Sequence, residues 1–172
     1  MSEVKSDLLK GMDSEYCGRC FCEEAKARVQ ALEGKRVFQE LIDEEVGHLN
    51  ILCGQYSALE ESGEWLPIEK ASQRGAALDQ DAILPEPTAT RTAPANAADE
   101  DWLRLAMEFE REGYRIYHQA AGEADSPNEK ATWEYLADSK DAHYAELQQT
   151  LDYLVNEGAW YYDDQEKPMF EG

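Results

Sequence analysis

The sequence predicts an all-α fold, a four-helix bundle built from two copies of a helical hairpin that are joined by a long crossover. Three observations predict it. Apolar residues recur at three- and four-residue spacing, stretches typical of strands are scarce, and the two halves align at a fixed offset of 95 residues. An apolar share of 42% over 172 residues is enough for one domain with a sizeable core.

Four helices are predicted in chain order, at about residues 5–30, 34–62, 98–124 and 127–157. The apolar stripe of the second helix comprises Leu41, Ile42, Val46, Leu49, Ile51, Leu52, Tyr56 and Leu59. The fourth helix has a similar stripe of Trp133, Leu136, Ala137, Tyr144, Leu147, Leu151 and Leu154. Pro127 suits the first turn of that helix, because proline fixes a helical φ there. Gly34, Gly63 and Gly158 indicate helix boundaries.

Residues 67–98 predict a non-helical crossover of about thirty residues, since they contain Pro85, Pro87 and Pro94 among many alanines and threonines. Such a segment could link two separate hairpin domains. A lone two-helix hairpin buries too little apolar surface, so we favour one bundle. We expect a domain over 1–160, with hairpin 5–62, crossover 67–98 and hairpin 98–157. The aromatic and acidic tail, residues 161–172, could fold back on the bundle or cover a neighbouring subunit.

The internal repeat runs through both helices of each hairpin and the turn that follows them. A shift of 95 residues aligns Glu15 with Glu110, Gly18 with Gly113, Cys22 with Tyr117, His48 with His143, Leu52 with Leu147 and Trp65 with Trp160. One offset maintained without a gap over this length indicates a duplicated hairpin and a pseudo-symmetric bundle.

Repeated acidic and imidazole side chains predict a metal site in the core. Glu15 and Glu110 each lie about 13 residues before a hairpin turn, and His48 and His143 lie a similar distance after it, at the same height on neighbouring helices. Glu45 precedes His48 by three residues, so both point the same way. Buried carboxylates without a partner would cost several kcal/mol each, which a metal ion avoids. Carboxylates with one or two imidazoles suit iron or manganese, with zinc as a substitute.

The segment from Ala106 to Tyr117 resembles the third-helix signature of the ferritin-like superfamily, in its rubrerythrin-like branch, and the resemblance covers about residues 8–160. It implies two helix pairs, each supplying a Glu and a Glu-x-x-His. It also implies a non-haem di-iron centre that oxidises ferrous iron with dioxygen or peroxide, or reduces peroxide. Carried over, its metal ligands are Glu15, Glu45, His48, Glu110 and His143. The histidines would be terminal ligands, and Glu45 or Glu110 would bridge.

Lys140 departs from the family pattern, because it occupies the glutamate position of the second Glu-x-x-His. Asp138 and Asp141 are rotated off the ligand face by roughly 200° and 100°, so neither is an obvious substitute. The ammonium could pair with Glu110 and occupy a metal's place, or neutralise surplus charge beside one retained metal. The centre then holds two iron ions or one, and His143 is either a ligand or a satisfied core histidine.

Two alternatives to metal redox chemistry remain open. One is a degenerate ferritin-like bundle without catalysis, an interaction or assembly module in which Lys140 replaces the metal's charge. The other is thiol redox at Cys17 and Cys20, although Cys20, Cys22 and Cys53 also suit simple packing. Tyr16, Tyr114 and Tyr117 could tune a metal or carry a radical, but core packing is the simpler interpretation.

The net charge of the chain narrows the classes of partner that we expect. With a net charge of −21, the chain repels phosphate backbones and anionic lipids, so we expect neither nucleic acid nor a membrane as partner. We expect a homodimer or higher homo-oligomer that receives electrons from an unknown donor. The N-terminal residues lack the plan of a secretory signal, so a cytoplasmic location with reduced cysteines is expected.

Overall fold

The computed structural model describes residues 2–84, 86 and 93–160, with side chains from Val4 onward. This part of the chain contains helices and no strand, which confirms the all-α prediction. The α-helices are α1 (Ser2–Arg28), α2 (Leu32–Ser62), α3 (Ile68–Ala76), α4 (Asp99–Glu123) and α5 (Pro127–Glu157). A short 3-10 helix, Gln80–Ala82, follows α3. The four predicted helices correspond to α1, α2, α4 and α5, with bounds that agree within a few residues.

The predicted start of α5 and the predicted ends of α2 and α5 have the expected signals. The Ser126 hydroxyl accepts a hydrogen bond from the Glu129 amide at 3.2 Å, and Pro127 is the first residue of α5. Gly63 and Gly158 end α2 and α5 with φ of 71° and 69°, in the left-handed region. Each of these glycine amides donates to the carbonyl four residues back, which closes the helix.

We had expected Gly34 to mark a helix boundary. It lies instead inside the first turns of α2. A Cβ at this position would lie 2.7 Å from the indole of Trp160, so the glycine leaves room for that ring. Trp160 is buried after the end of α5, packs edge-on against Phe38, and donates its indole N–H to Asp99 at 2.9 Å. The predicted tail at 161–172 lies outside the described residues.

The prediction of a non-helical crossover was wrong, because α3 and the 3-10 helix lie within it. The helix α3 docks on α2 at very close range. A Cβ at Gly54 would lie 1.9 Å from the Ala71 carbonyl oxygen, and one at Gly75 would lie 1.8 Å from the Asn50 carbonyl oxygen. Backbone packing between small residues stabilises α3, and the close approach of the two backbones is not indicated by the sequence of either segment alone. Pro85 and Pro87 lie outside the described residues.

The four long helices surround an interior with apolar layers on either side of a polar band. The helix α1 packs on α2 and on α4, and α4 packs on α5. One apolar cluster includes Phe21, Phe38 and Trp102, and the other includes Leu52 and Trp133. On each long helix, the buried acidic, basic and imidazole residues of the band lie between the two clusters in sequence: Glu15, Glu45, His48, Glu110, Lys140 and His143. None of the described helices has an apolar stretch long enough to cross a membrane.

Candidate metal centre

All five predicted site residues are buried in one cluster, together with Lys140. Their exposed fractions are 0% for Glu15, 1% for Glu45, 1% for His48, 2% for Glu110, 3% for Lys140 and 3% for His143. Each long helix contributes at least one of them. Burial of this many ionisable groups is costly unless they are paired with one another or with an ion.

The ammonium of Lys140 lies among the three carboxylates. Its Nζ is 2.7 Å from Glu45 Oε1, 3.0 Å from Glu15 Oε2 and 3.5 Å from Glu110 Oε2. We had expected Lys140 to pair with Glu110 or to balance surplus charge, and it contacts the carboxylates of both hairpins. Three carboxylates and one ammonium leave two negative charges that Lys140 does not compensate.

His48 is held with its Nδ1 toward the carboxylates. That nitrogen lies 3.1 Å from Glu15 Oε2 and 3.9 Å from Glu45 Oε2. The other ring nitrogen, Nε2, lies 3.0 Å from the hydroxyl oxygen of Ser139, on α5. A partner on the outer nitrogen of this kind fixes the ring orientation of a ligand histidine. Sequence reasoning missed Ser139, although it directly precedes Lys140.

The contact between a glutamate and a histidine in the first hairpin has a counterpart in the second. His143 Nδ1 lies 3.4 Å from Glu110 Oε2, and the corresponding distance from His48 Nδ1 to Glu15 Oε2 is 3.1 Å. The two imidazole rings stack with centroids 6.0 Å apart. The glycines three residues after each glutamate are also equivalent. A Cβ at Gly18 would lie 3.5 Å from Glu45 Oε1, and one at Gly113 would lie 3.0 Å from Lys140 Cε. Gly113 therefore leaves room for the Lys140 side chain, whereas a Cβ at Gly18 would make only ordinary van der Waals contact with Glu45.

Tyr117 also belongs to the cluster, although core packing was the simpler of the two interpretations that its sequence position allowed. The side chain is fully buried, and its hydroxyl donates a hydrogen bond to Glu15 Oε1. Oε2 of the same carboxylate accepts a hydrogen bond from the Lys140 ammonium and lies within hydrogen-bond distance of His48 Nδ1. Both oxygens of Glu15 are therefore fixed by neighbouring side chains. The tyrosine at the matching position of the family segment was the only sequence signal for this contact.

The charges in the cluster reinforce one another. Burial alone would raise the pKa of Glu15, but Lys140 and His48 outweigh it and hold the pKa at about 2. The pKa of Glu110 is also lowered, because Lys140 and His143 outweigh the effect of burial. The pKa of Lys140 is raised above its usual 10.5, since Glu110 and Glu15 outweigh the cost of burying the ammonium. Glu15, Glu110 and Lys140 are therefore charged at neutral pH.

This charge pairing predicts a loss of stability in acid. The pKa of Glu15 falls from 4.5 to about 2 on folding, so its contribution is complete above pH 4.5 and is lost as the pH falls toward 2. The contribution is about 3 kcal/mol from a shift of this size. In chelator, the free energy of unfolding of Glu15→Gln should fall less steeply over this range than that of the native protein. Glu44→Gln is the control, and equal slopes for Glu15→Gln and the native protein would contradict the assignment.

Three of the residues converge closely enough to hold one metal ion. Glu15, Glu45 and His48 each offer a ligand atom, and these atoms all lie within 4.8 Å of one another. The buried Glu45 Oε2 accepts no hydrogen bond from any residue that the structure describes. Glu110 and His143 fall outside this group of three. Two carboxylates and an imidazole suit iron or manganese, and zinc also accepts them.

A cavity of about 220 Å³ between α4 and α5 reaches the Lys140 side of the cluster. It is lined by Glu110, Arg111, Tyr114, Lys140, Asp141 and Tyr144. The Arg111 guanidinium donates to the Tyr144 hydroxyl at 2.6 Å and lies over the Tyr144 ring, so these two side chains form part of the cavity wall. Glu110 and Lys140 therefore belong to the buried cluster and also border this cavity.

Of the four cysteines, Cys22 lies close enough to Glu110 and Lys140 to interact with their charges. None of them forms a disulfide among the described residues, and Cys22 and Cys53 are buried whereas Cys17 and Cys20 are half-buried. Burial raises the pKa of Cys53 to about 11 and that of Cys22 still further, so neither forms a thiolate at neutral pH. The core interpretation of Cys22 is confirmed by its burial.

No protein-family model, no curated protein and no solved structure matches this chain. The function of the chain is therefore inferred from the geometry of the buried cluster.

Proposed function

We propose that the chain is a ferritin-like, rubrerythrin-like four-helix bundle that binds one divalent metal ion, iron before manganese or zinc, through Glu15, Glu45 and His48. Lys140 takes the position of a second metal ion. One observation carries the proposal: the ammonium of Lys140 contacts all three carboxylates, yet a buried oxygen of Glu45 still has no hydrogen-bond donor among the described residues.

The dimensions of the cluster support one ion. Ligand atoms bonded to an ion at about 2.0–2.2 Å are typically separated by about 3–4 Å. The nitrogen of His48 lies 3.1 Å and 3.9 Å from the nearest oxygens of Glu15 and Glu45. One divalent ion would also balance the two negative charges that Lys140 leaves uncompensated. In this proposal, Glu110 holds Lys140 from the second hairpin, and His143 contacts Glu110.

A bound iron would supply reaction with dioxygen or peroxide, which the resemblance to the rubrerythrin-like branch implies. The protein's own residues would prepare for it. Tyr117 holds one oxygen of Glu15, so the other is directed toward His48 and Lys140. The cavity beside Lys140 would admit a small oxidant. Because one site is occupied by an ammonium, we propose reaction at a single ion rather than concerted oxidation of two.

The alternative is a bundle without metal or catalysis, acting as an interaction or assembly module. The three ion pairs of Lys140 favour it, because they stabilise the buried carboxylates in the absence of any ion. The two functions predict different results in a metal-binding titration.

The test is anaerobic titration of chelator-treated protein with Fe²⁺, followed by calorimetry and by metal analysis after desalting. We expect one ion per chain. Glu45→Gln should weaken binding by more than about 100-fold, because removal of a ligand costs more than removal of a residue that merely supports one. Glu44→Gln, the half-buried neighbour, is the matched control and should bind as the native protein does. Absence of binding would support the metal-free module and overturn the proposal.

A further inference from the structure

Aromatic side chains connect the buried cluster to the surface. Tyr117, whose hydroxyl donates to Glu15, stacks on Trp133 with ring centroids 5.8 Å apart and planes inclined by 18°. Trp133 meets Trp65 edge-on, with centroids 5.6 Å apart and planes inclined by 71°. Both separations lie within the contact range of aromatic pairs. We call Tyr117, Trp133 and Trp65 the aromatic chain.

The two ends of the aromatic chain lie in different surroundings. Tyr117 and Trp133 are 0% and 1% exposed, so solvent cannot reach them. Trp65 is half-buried after the end of α2 and lines a surface cleft with Lys5 and Asp125. The outer ring is accessible to a reductant or an oxidant in solution, whereas the inner ring touches a proposed metal ligand.

The other half of the molecule offers an internal comparison. The offset of 95 residues pairs Tyr117 with Cys22 and Trp133 with Phe38. It pairs Trp65 with Trp160. Phe38 meets Trp160 with planes inclined by 72°, which repeats the geometry of the Trp133–Trp65 pair. The central ring is phenylalanine there, which is not oxidised under conditions that oxidise tryptophan or tyrosine. Packing at these positions therefore does not require oxidisable rings, yet one half has three in series.

We propose that the aromatic chain conducts single electrons from a one-electron reductant at Trp65 to the buried cluster. The proposal rests on the proposed function, since the metal centre is the acceptor. Tyr117 gives one electron to the oxidised centre, and its hydroxyl proton moves to Glu15 Oε1. Trp133 then returns an electron to Tyr117, which recovers its proton. Trp65 reduces Trp133, and a reduced metalloprotein or other one-electron donor reduces Trp65. Each passage moves one electron and leaves every ring in its starting state.

The contact between Tyr117 and Glu15 makes electron transfer from Tyr117 to the oxidised centre chemically reasonable. A tyrosine that loses an electron becomes a very strong acid, so it must lose its proton at the same time. Because the hydroxyl already donates to a carboxylate oxygen, the proton has a fixed acceptor inside the dry core. Trp133 is the ring in contact with both Tyr117 and Trp65.

The experiment drives electrons through the aromatic chain in the opposite direction, from Tyr117 toward Trp65. It uses chelator-treated protein, so it does not depend on metal. A flash-generated ruthenium(III) polypyridyl complex oxidises exposed rings, and transient absorption with freeze-quench electron paramagnetic resonance identifies the radicals. We expect electrons to pass outward until a tyrosyl radical forms at Tyr117, a signal that Tyr117→Phe removes. Trp133→Phe should reduce that signal to the level of Tyr117→Phe, and Trp65→Phe, at a half-buried site, should do the same.

Two matched variants control for packing. Trp102→Phe removes a buried indole from the other apolar cluster, where it packs against Phe21, and should leave the Tyr117 radical unchanged. Tyr114→Phe removes a half-buried tyrosine that stacks on His118 on the same helix, and should also leave it unchanged. Circular dichroism checks that each variant is folded.

The radical signal also separates this proposal from the proposed function. A Tyr117 radical that persists in folded Trp133→Phe and Trp65→Phe, or a tyrosyl signal unaffected by Tyr117→Phe, would overturn conduction through the aromatic chain. Loss of metal binding with radical transfer intact would overturn the metal centre as acceptor. Metal binding without radical transfer would overturn the conduction alone.

Discussion

Replacement of Lys140 by methionine is expected to lower the free energy of unfolding of the metal-free protein by about 3–5 kcal/mol, because removal of one partner leaves buried charges uncompensated. Three carboxylates would then share the core without the ammonium that contacts all of them. Methionine nearly matches the volume of the lysine side chain and fills the space above Gly113, so the loss reports charge rather than a cavity. Urea denaturation in the presence of chelator measures it.

The matched control is Lys130→Met, at an exposed position on the same helix. Lys130 lies 3.6 Å from Glu134 in a solvated ion pair, so the change should cost less than about 1 kcal/mol. A redox-inert divalent ion such as Zn²⁺ should restore more stability to Lys140→Met than it adds to the native protein, since the ion supplies the missing charge. If Lys140→Met in chelator is as stable as the native protein, Lys140 does not compensate the carboxylates.

The helices and the membership of the buried cluster could be predicted from the sequence because both depend on regular spacing. Apolar periodicity, Ser126 before Pro127 and the terminal glycines fix the long helices to within a few residues. The fixed offset of 95 residues predicts that Glu15 and Glu110 lie at the same height, and both are buried beside Lys140. A repeated register restricts many positions at once, which a single motif cannot do.

The features that the sequence did not reveal depend on contacts between distant elements. The helix α3 forms where two glycines allow backbones to approach, and the sequence of either segment alone does not indicate such a contact. Helical spacing places a residue on a face only within tens of degrees, which is too coarse to predict that Tyr117 reaches Glu15 or that Ser139 reaches His48. The position of Lys140 was open for the same reason: a long flexible side chain can reach one carboxylate or several.

The chemistry of the centre depends on which cation occupies the space next to Gly113. Lysine supplies one positive charge on a covalent tether, has no open coordination position and cannot change oxidation state. A metal ion supplies two charges and can accept an exogenous ligand. The native chain combines both kinds of charge in the proposed function, with one ion held by the first hairpin and the ammonium held between the two hairpins.

Lys140→Glu is accordingly expected to raise the metal content from one divalent ion per chain to two. The substitution gives the second hairpin a Glu-x-x-His pattern and places a fourth carboxylate beside Glu110, so bound cations can balance the added buried negative charge. The metal-free variant should be less stable than Lys140→Met because its carboxylates repel one another. Added metal should stabilise it in proportion to binding, by about 4 kcal/mol per site at a free metal concentration of 1,000 times the dissociation constant.

Metal analysis after anaerobic loading with Fe²⁺ measures the stoichiometry, and Lys130→Glu is the control. That control makes the same change of charge on the exposed face of the same helix, so it should retain one ion per chain. If Lys140→Glu also binds one ion, the second hairpin cannot supply a metal site even with its carboxylate restored. The space that Lys140 fills would then be a place for an ammonium alone, and the equivalence between lysine and a lost metal ion would be wrong.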